Sequence, residues 1–167
     1  FGEGGKQVWS GNQVIDWGKP VTIPASEFKN FTTQATIVIY YDQDASSDYE
    51  DIQPCNSAWK SMPFTVEGMS FSGDFNPRSF YGTSGKSHIT PMIFTGTELN
   101  SLKSGGVIIQ GHGITFTKIV LMDTPNAIHL PTVNPDSDNT LYDLRGVKIS
   151  NPQNGKVYIV SGKKILR

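Results

Sequence analysis

Cysteine is nearly absent from this sequence, which has a single one, Cys55, in 167 residues. One cysteine excludes an internal disulfide framework, and it cannot supply the several thiolates of a cysteine-based zinc site. A lone cysteine is typical of a small, buried apolar side chain. The alternative use is an intermolecular disulfide.

An excess of charge of either sign is also missing. The chain has 14 Lys and Arg against 15 Asp and Glu, a formal net charge of −1. This balance excludes the basic surface that nucleic-acid binding requires. No apolar run approaches the roughly 20 residues of a membrane-spanning helix. We therefore expect a globular domain with neither a nucleic-acid partner nor a membrane-spanning segment.

Glycine, proline and aromatic residues are abundant, with 17 Gly, 10 Pro and 11% aromatics. This composition favours short strands separated by turns. The longest apolar run predicts two strands, Val107 to Gln110 and Ile114 to Leu121, joined by a tight Gly-His-Gly connection. Because both faces of the second strand carry apolar residues, we predict that this hairpin lies centrally in a sheet. Other extended segments are predicted over 6–16, 21–23, 35–41, 55–59, 62–71 and 88–94.

One short helix is predicted directly before that hairpin. Thr95 and Glu98 have the spacing of a capping box, and Gly105 fits a left-handed terminator. Leu99 and Leu102 supply its apolar edge. Many short strands with one short helix predict an all-β fold, a jelly-roll-like β-sandwich.

The chain divides into three parts by composition. Residues 1–122 carry the sandwich pattern, whereas 123–139 contain three prolines and no periodicity, as expected of a linker. Residues 140–167 resume alternating sequence and predict a small C-terminal β appendage, with a tight turn at Ser161-Gly162.

Two glycine-rich stretches are poor matches to nucleotide-binding motifs. GTSGKS over 82–87 has Phe80 where the phosphate-binding loop requires glycine, and Gly111-His112-Gly113 has Phe116 at its third glycine position. The three histidines lie in separate segments, and no serine has a nucleophile-elbow pattern. These observations predict a protein that is not an enzyme.

An acidic loop runs from Asp42 to Ile52 and contains five carboxylates. It fits a solvated loop, a structural calcium site such as β-sandwich modules carry, or a carboxylate pair for glycoside hydrolysis. Crowding in one loop argues against the pair, because its two members normally come from opposite sides of a groove. We predict no cofactor, with structural calcium as the alternative.

Aromatic residues near turns indicate a carbohydrate-binding surface. Sugar rings have apolar faces that stack on aromatic side chains, while amides and other polar groups bond their hydroxyls. The predicted stacking residues are Tyr49, Trp59 and Tyr81, and the predicted hydrogen-bonding residues are Gln53, Gln110 and His112. The alternative function is a structural or adhesive sandwich, which contacts protein or spaces an enzyme and has no exposed aromatic surface.

Two stretches resemble small β-sandwich modules of secreted glycan-degrading or surface proteins of Bacteroidetes bacteria. They are VWSGNQVIDWG over 8–18 and TGTELNSLKSGGVIIQGHGITFTKIVL over 95–121. The resemblance implies non-catalytic binding of a polysaccharide or oligosaccharide.

The C-terminal residues are similar to the sorting segment, often of the type IX class, on secreted proteins of the same bacteria. This resemblance covers 140–167 and implies export to the periplasm, cell surface or medium. It also agrees with a chain that starts without methionine, as in a processed form or a segment of a longer protein. The matching positions are Tyr142, Leu144, Gly146, Gly155, Tyr158, Gly162 and Lys163.

Overall fold

The structure, a computed structural model, describes residues 4–83 and 87–123 in full. Over 124–167 it describes the backbone of four strands. The chain divides into two compact units, Phe1–Ala127 and Ile128–Arg167. In the described part of the chain, no helix is long and apolar enough to cross a membrane.

The first unit is built almost entirely of strands, as the residue pattern predicts. Its strands are β1 (Lys6–Ile15), β2 (Val21–Ile23), β3 (Gln34–Gln43), β4 (Asp51–Cys55), β5 (Phe64–Val66), β6 (Met69–Phe71), β7 (Ser87–Thr95), β8 (Val107–His112) and β9 (Ile114–Met122). A 3-10 turn covers Ala25–Phe28, and the α-helices are α1 (Pro77–Tyr81) and α2 (Gly96–Gly105).

The strands form two antiparallel sheets. The large sheet has the order β1-β9-β3-β7-β5-β6, and the small sheet has the order β2-β8-β4. The returning strand β9 lies between β1 and β3, and β8 lies between β2 and β4. The second half of the chain therefore lies alongside the first half in both sheets, as in a jelly roll. The predicted all-β sandwich is confirmed.

The core between the sheets follows from strand alternation. In β8 the buried positions Val107 and Ile109 alternate with half-buried ones, so one face of the strand points into the core. Phe116 of β9 and Ile37 of β3 are fully buried in the same cluster. The small sheet consequently has one face in the core, whereas the β8 positions on its other face are half-buried.

The predicted hairpin of residues 107–121 is wrong, although both of its strands exist. β8 pairs with β2 and β4, whereas β9 pairs with β1 and β3, so the two strands lie in different sheets. The chain crosses between the sheets at Gly113, whose φ of +71° is a left-handed conformation. A crossing between two sheets at glycine has the same local sequence signals as a hairpin turn.

Helix α2 is confirmed, but its ends differ from the prediction. Thr95 is the N-terminal cap residue, yet its side chain makes no capping hydrogen bond. The left-handed terminator is Gly106 and not the predicted Gly105, since Gly105 is the last helical residue and Gly106 has a φ of +74°. The Cβ position of Gly106 would lie 2.3 Å from the carbonyl oxygen of Ile23. Only glycine fits that close approach.

Helix α1 lies within residues 74–87, a stretch rich in Gly, Ser, Asn and Pro whose composition predicts a long loop or loose hairpin. Asn76 precedes it, and the Asn76 side chain accepts a 2.8 Å hydrogen bond from the backbone N–H of Ser79. Pro77 follows at the first helical position, where its missing N–H costs nothing. An Asn-Pro pair at a helix start is therefore the signal that identifies this element.

The second unit contains a four-stranded antiparallel sheet in the order β11-β10-β12-β13. Its strands are β10 (Leu141–Tyr142), β11 (Lys148–Ile149), β12 (Val157–Val160) and β13 (Lys163–Leu166). Val160 pairs with Lys163, in agreement with the predicted connection between the last two strands. The turn itself lies outside the described residues, as does the predicted linker apart from Asp123.

Candidate functional site

Three ring-bearing side chains meet where the small sheet ends. Trp17 follows β1, Tyr49 belongs to the loop before β4, and His112 ends β8. The Trp17 Nε1–H donates a 3.0 Å hydrogen bond to the Tyr49 hydroxyl, and the Tyr49 ring stacks on His112 with centroids 4.3 Å apart. Trp17 is 38% exposed and Tyr49 40%. We call these three residues the aromatic corner.

Two carboxylates flank the histidine of the aromatic corner. Asp16 Oδ1 lies 3.5 Å from His112 Nδ1, and Asp48 Oδ1 lies 3.4 Å from His112 Nε2. The backbone N–H of Trp17 donates to Asp16 at 2.9 Å, and this bond, with His112 beside it, holds the pKa of Asp16 below its usual range. The corner thus presents carboxylate oxygens, which accept hydrogen bonds, beside exposed rings.

A groove of about 680 Å³ adjoins the aromatic corner. Its walls come from the end of β1, from the loop between β3 and β4, and from the crossing between β8 and β9. Most of the lining side chains are polar or acidic, and Val14 adds an apolar surface that is 63% exposed. Of the aromatic corner, His112 lines the groove, and Trp17 and Tyr49 lie beside it. Apolar and acceptor groups around one groove, next to exposed rings, are the composition of a site for a polar small molecule.

The loop that carries Tyr49 is fixed by a buried ion pair. Glu50 is fully buried, and Arg78 of α1 donates to its Oε1 from Nε at 3.2 Å and from Nη2 at 3.0 Å. Arg78 also donates to the backbone carbonyls of Ser47 at 2.9 Å and Asp44 at 3.0 Å. One guanidinium therefore holds three points of the loop.

The acidic loop does not gather its carboxylates at one point. Asp44 accepts from the backbone N–H and hydroxyl of Ser46 at 2.9 and 2.6 Å, which hold the pKa of Asp44 below its usual value. Glu50 is committed to Arg78. Among the residues that the structure describes, no group of three or more His, Cys, Asp or Glu is placed to hold a metal ion.

The open face of the small sheet carries the two predicted glutamines. Gln53 of β4 and Gln110 of β8 are register partners, and Gln110 Nε2 donates to Gln53 Oε1 at 2.7 Å. Cys55 lies beside them, with its Sγ 3.7 Å from Gln110 Nε2. His112 is two residues beyond Gln110 on the same face. We call this side of the sheet the outer face.

Trp59 lies in the loop that follows β4, at the end of that strand opposite to the aromatic corner. The strand predicted over 55–59 is wrong beyond Cys55, since residues 56–60 form a tight hairpin loop closed by the Asn56 N–H on the Lys60 carbonyl at 2.9 Å. The Trp59 side chain is 55% exposed. The structure therefore separates Trp59 from the aromatic corner by the length of β4.

Tyr81 does not join the other predicted residues. It ends helix α1, packs edge-on against Phe80 with ring centroids 4.7 Å apart, and donates its hydroxyl to Glu67 at 3.2 Å. Burial raises the pKa of Tyr81 to about 12. Its neighbours make it a packing residue at the border of the core.

Trp17 is the residue of the aromatic corner that the sequence interpretation did not select. It belongs to the Asp-Trp-Gly stretch that ends β1, within one of the two segments with a family resemblance. An aromatic residue directly after a strand and before glycine was the available signal. Its hydrogen bond to Tyr49, 32 residues away, could not be inferred locally.

The stability of the fold depends on pH through Asp51, which lies at this end of the small sheet. Burial, with the charge of Asp74 adding to it, raises the pKa of Asp51 to about 6 from 3.8. The folded state therefore binds the Asp51 proton more tightly than the unfolded state does. As a result, ionisation of Asp51 lowers the free energy of unfolding progressively from pH 4 to pH 6, and the full loss is reached above pH 6. A shift of one pKa unit corresponds to about 1.4 kcal/mol, which would give about 3 kcal/mol for Asp51. The loss of free energy of unfolding is smaller than this, because solvent screens a partly exposed group.

Asp51→Asn is expected to raise the melting temperature at pH 8 and to leave it nearly unchanged at pH 4. Melting curves of the native chain and the variant across this range measure the difference. Asp74→Asn is the companion variant, because removing its charge should move the midpoint of the native pH dependence downward. Equal gains from Asp51→Asn at both pH values would contradict the assignment.

The chain matches no family model and no curated protein. Among solved structures it is similar to SGBP-B of a mixed-linkage glucan utilization locus from Bacteroides ovatus, in complex with a mixed-linkage heptasaccharide. The TM-score is 0.52 at 17% identity, over 71% of this chain and 29% of that one. The chain thus spans less than a third of SGBP-B, and the likeness shows a shared fold.

Proposed function

We propose that this chain binds carbohydrate without catalysis, at the aromatic corner and its adjoining groove. The observation that carries the proposal is the exposed Tyr49 ring, backed by His112 at 4.3 Å and fixed through its hydroxyl by Trp17 at 3.0 Å. A ring held on one face and by its hydroxyl offers a rigid stacking surface at little entropic cost. Asp16 and Asp48 are placed to accept hydrogen bonds from sugar hydroxyls.

The electrostatics of the corner support binding over hydrolysis. A glycosidase needs one carboxyl with a raised pKa to protonate the leaving group. Asp51, whose pKa is raised to about 6, is not among the residues that line the groove, and the groove-lining Asp16 and Asp44 instead have pKa values lowered by their hydrogen bonds. Carboxylates of this kind remain acceptors at neutral pH and do not act as general acids.

The alternative function, a structural or adhesive sandwich, predicts no exposed aromatic surface. Three aromatic side chains are each more than one-third exposed, namely Trp17, Tyr49 and Trp59. Their exposure supports the carbohydrate-binding hypothesis. The glucan heptasaccharide bound to SGBP-B makes mixed-linkage glucan the first polysaccharide to test.

The setting we propose is an exported bacterial protein. Residues 1–122 act as the binding module, 123–139 as a linker, and 140–167 as a sorting-like segment that directs the protein to the periplasm or cell surface. The resemblance of the tail to such segments supports this assignment.

Affinity electrophoresis through gels that contain mixed-linkage glucan or other plant, host and microbial polysaccharides tests the function. We expect at least one polysaccharide to retard the native chain, and Tyr49→Ala to weaken that binding about tenfold, as for an aromatic hot spot. Tyr49→Phe is the matched control, because it keeps the ring and loses only the bond to Trp17. A native chain that no polysaccharide retards, or equal retardation of Tyr49→Ala, overturns the proposal.

A further inference from the structure

The hairpin loop at residues 56–60 holds a tryptophan where glycine is favoured. The backbone N–H of Trp59 bonds the carbonyl of Asn56 at 2.9 Å, and the loop closes between Asn56 and Lys60. Trp59 takes the left-handed position after the turn, with a φ of +62°. This position is usually glycine, because a Cβ atom there is crowded against the backbone.

No packing in the described structure explains why Trp59 accepts that conformation. Its side chain is 55% exposed, no described ring stacks on it, and its indole N–H has no partner among the described residues. The loop beneath it is rigid, since Asn56 Oδ1 accepts from the N–H groups of Ala58 at 2.9 Å and Lys60 at 3.0 Å. Backbone strain that presents an exposed ring from a rigid turn is typical of a binding site.

The outer face connects this ring to the aromatic corner. β4 runs from Asp51, beside His112, to Cys55, which adjoins the loop, a length of about 13 Å at 3.3 Å per residue. Gln53 and Gln110 lie between the two ends. After their mutual bond, the Gln53 amide nitrogen and the Gln110 amide oxygen have no partner within the described ranges. They remain free to bond a ligand on the outer face.

We propose that Trp59 is a second stacking subsite and that the ligand is the interior of an extended glycan chain along the outer face. This inference rests on the proposed function. One sugar ring cannot contact both Tyr49 and Trp59 across the length of β4, so two rings of the same chain, separated by at least one further ring, occupy the two ends. The free amide groups of Gln53 and Gln110 bond hydroxyls of the rings between them.

The test is the effect of Trp59→Gly on ligands of graded length. Mixed-linkage gluco-oligosaccharides from the trisaccharide to the heptasaccharide are titrated calorimetrically; if another polysaccharide retards the chain, its oligosaccharides replace them. Trp59→Gly should weaken heptasaccharide binding about tenfold and leave trisaccharide binding at the aromatic corner unchanged. The melting temperature should stay the same or rise, because glycine suits the left-handed position.

Trp59→Asn is the second variant, since asparagine tolerates the same φ and also lacks the ring. Both variants should give the same length-dependent loss. Native heptasaccharide affinity in both, beside a loss in Tyr49→Ala, overturns the second subsite and leaves the proposed function standing. An equal loss for short and long ligands overturns the extended-chain assignment. A native chain that binds no glycan removes the function and this inference together.

Discussion

Arg78→Ala is expected to lower the free energy of unfolding by about 3–5 kcal/mol, the usual cost of removing one partner from a buried ion pair. Glu50 is fully buried, and both of its contacts to Arg78 are at most 3.2 Å. Without the guanidinium, the Glu50 carboxylate keeps Gln43 as a neutral donor at 3.0 Å. The Ser47 carbonyl loses its Arg78 donor as well, and the Asp44 carbonyl keeps only the Ser47 N–H at 3.0 Å. Urea denaturation of the native chain and the variant measures the change.

The same substitution should also weaken glycan binding, because the loop that Arg78 holds carries Tyr49. Arg78→Lys keeps the charge but not the planar fork, so it should recover only part of the stability. Arg78→Ala combined with Glu50→Gln removes the stranded charge and should be more stable than Arg78→Ala alone. A loss below about 1 kcal/mol, the value of an exposed pair, would show that the ion pair is not a structural anchor.

Gly113→Ala is expected to cost at least about 2 kcal/mol and to displace the aromatic corner. The left-handed φ of +71° alone costs a residue with a Cβ atom about 1–2 kcal/mol. In addition, the new Cβ would lie 2.3 Å from the carbonyl oxygen of Tyr49, a backbone atom that cannot rotate away. The loop must therefore move, and Tyr49 with it. Thermal unfolding and glycan titration measure the two effects.

Gly68→Ala is the matched control for Gly113→Ala. Gly68 has a φ of +82° and nothing within 4 Å of its Cβ position, so its replacement should cost only the backbone term of about 1 kcal/mol and leave binding intact. The difference between the two variants in free energy of unfolding measures the effect of the close contact with the Tyr49 carbonyl. Equal costs in both would mean that the crossing tolerates a side chain.

Local pattern was sufficient to predict the strands but not their partners. The alternation in β8 and the apolar run of β3 follow from the two-residue period of a strand, which the sequence displays directly. The assignment of β8 and β9 to one hairpin failed because a glycine turn and a sheet crossing look alike over three residues. The sheet to which each strand belongs depends on pairing with β1, β2, β3 and β4, far away in sequence.

Local pattern likewise predicted some residues of the candidate site, and it missed those whose role depends on contacts with residues far away in sequence. Tyr49 and His112 were predicted from an aromatic in a polar loop and a polar turn, and the structure brings them into contact. Arg78 gave no local signal, because its partner Glu50 is 28 residues away. Tyr81 lies in a stretch whose composition predicts a loop, whereas in the structure it ends helix α1 and packs against Phe80. Each of these positions in the structure depends on contacts between residues that are distant in sequence.

The pairing of β1 with β9 determines where the aromatic corner lies relative to the ends of the sandwich. Lys6 and Leu121 are register partners, so the chain enters and leaves the sandwich side by side. The aromatic corner lies at the opposite end of β1, where Ile15 faces Ile114, about 30 Å away at 3.3 Å per residue over the strand. In the first unit, the aromatic corner is therefore separated by the full length of β1 from the segments through which the chain enters and leaves the sandwich.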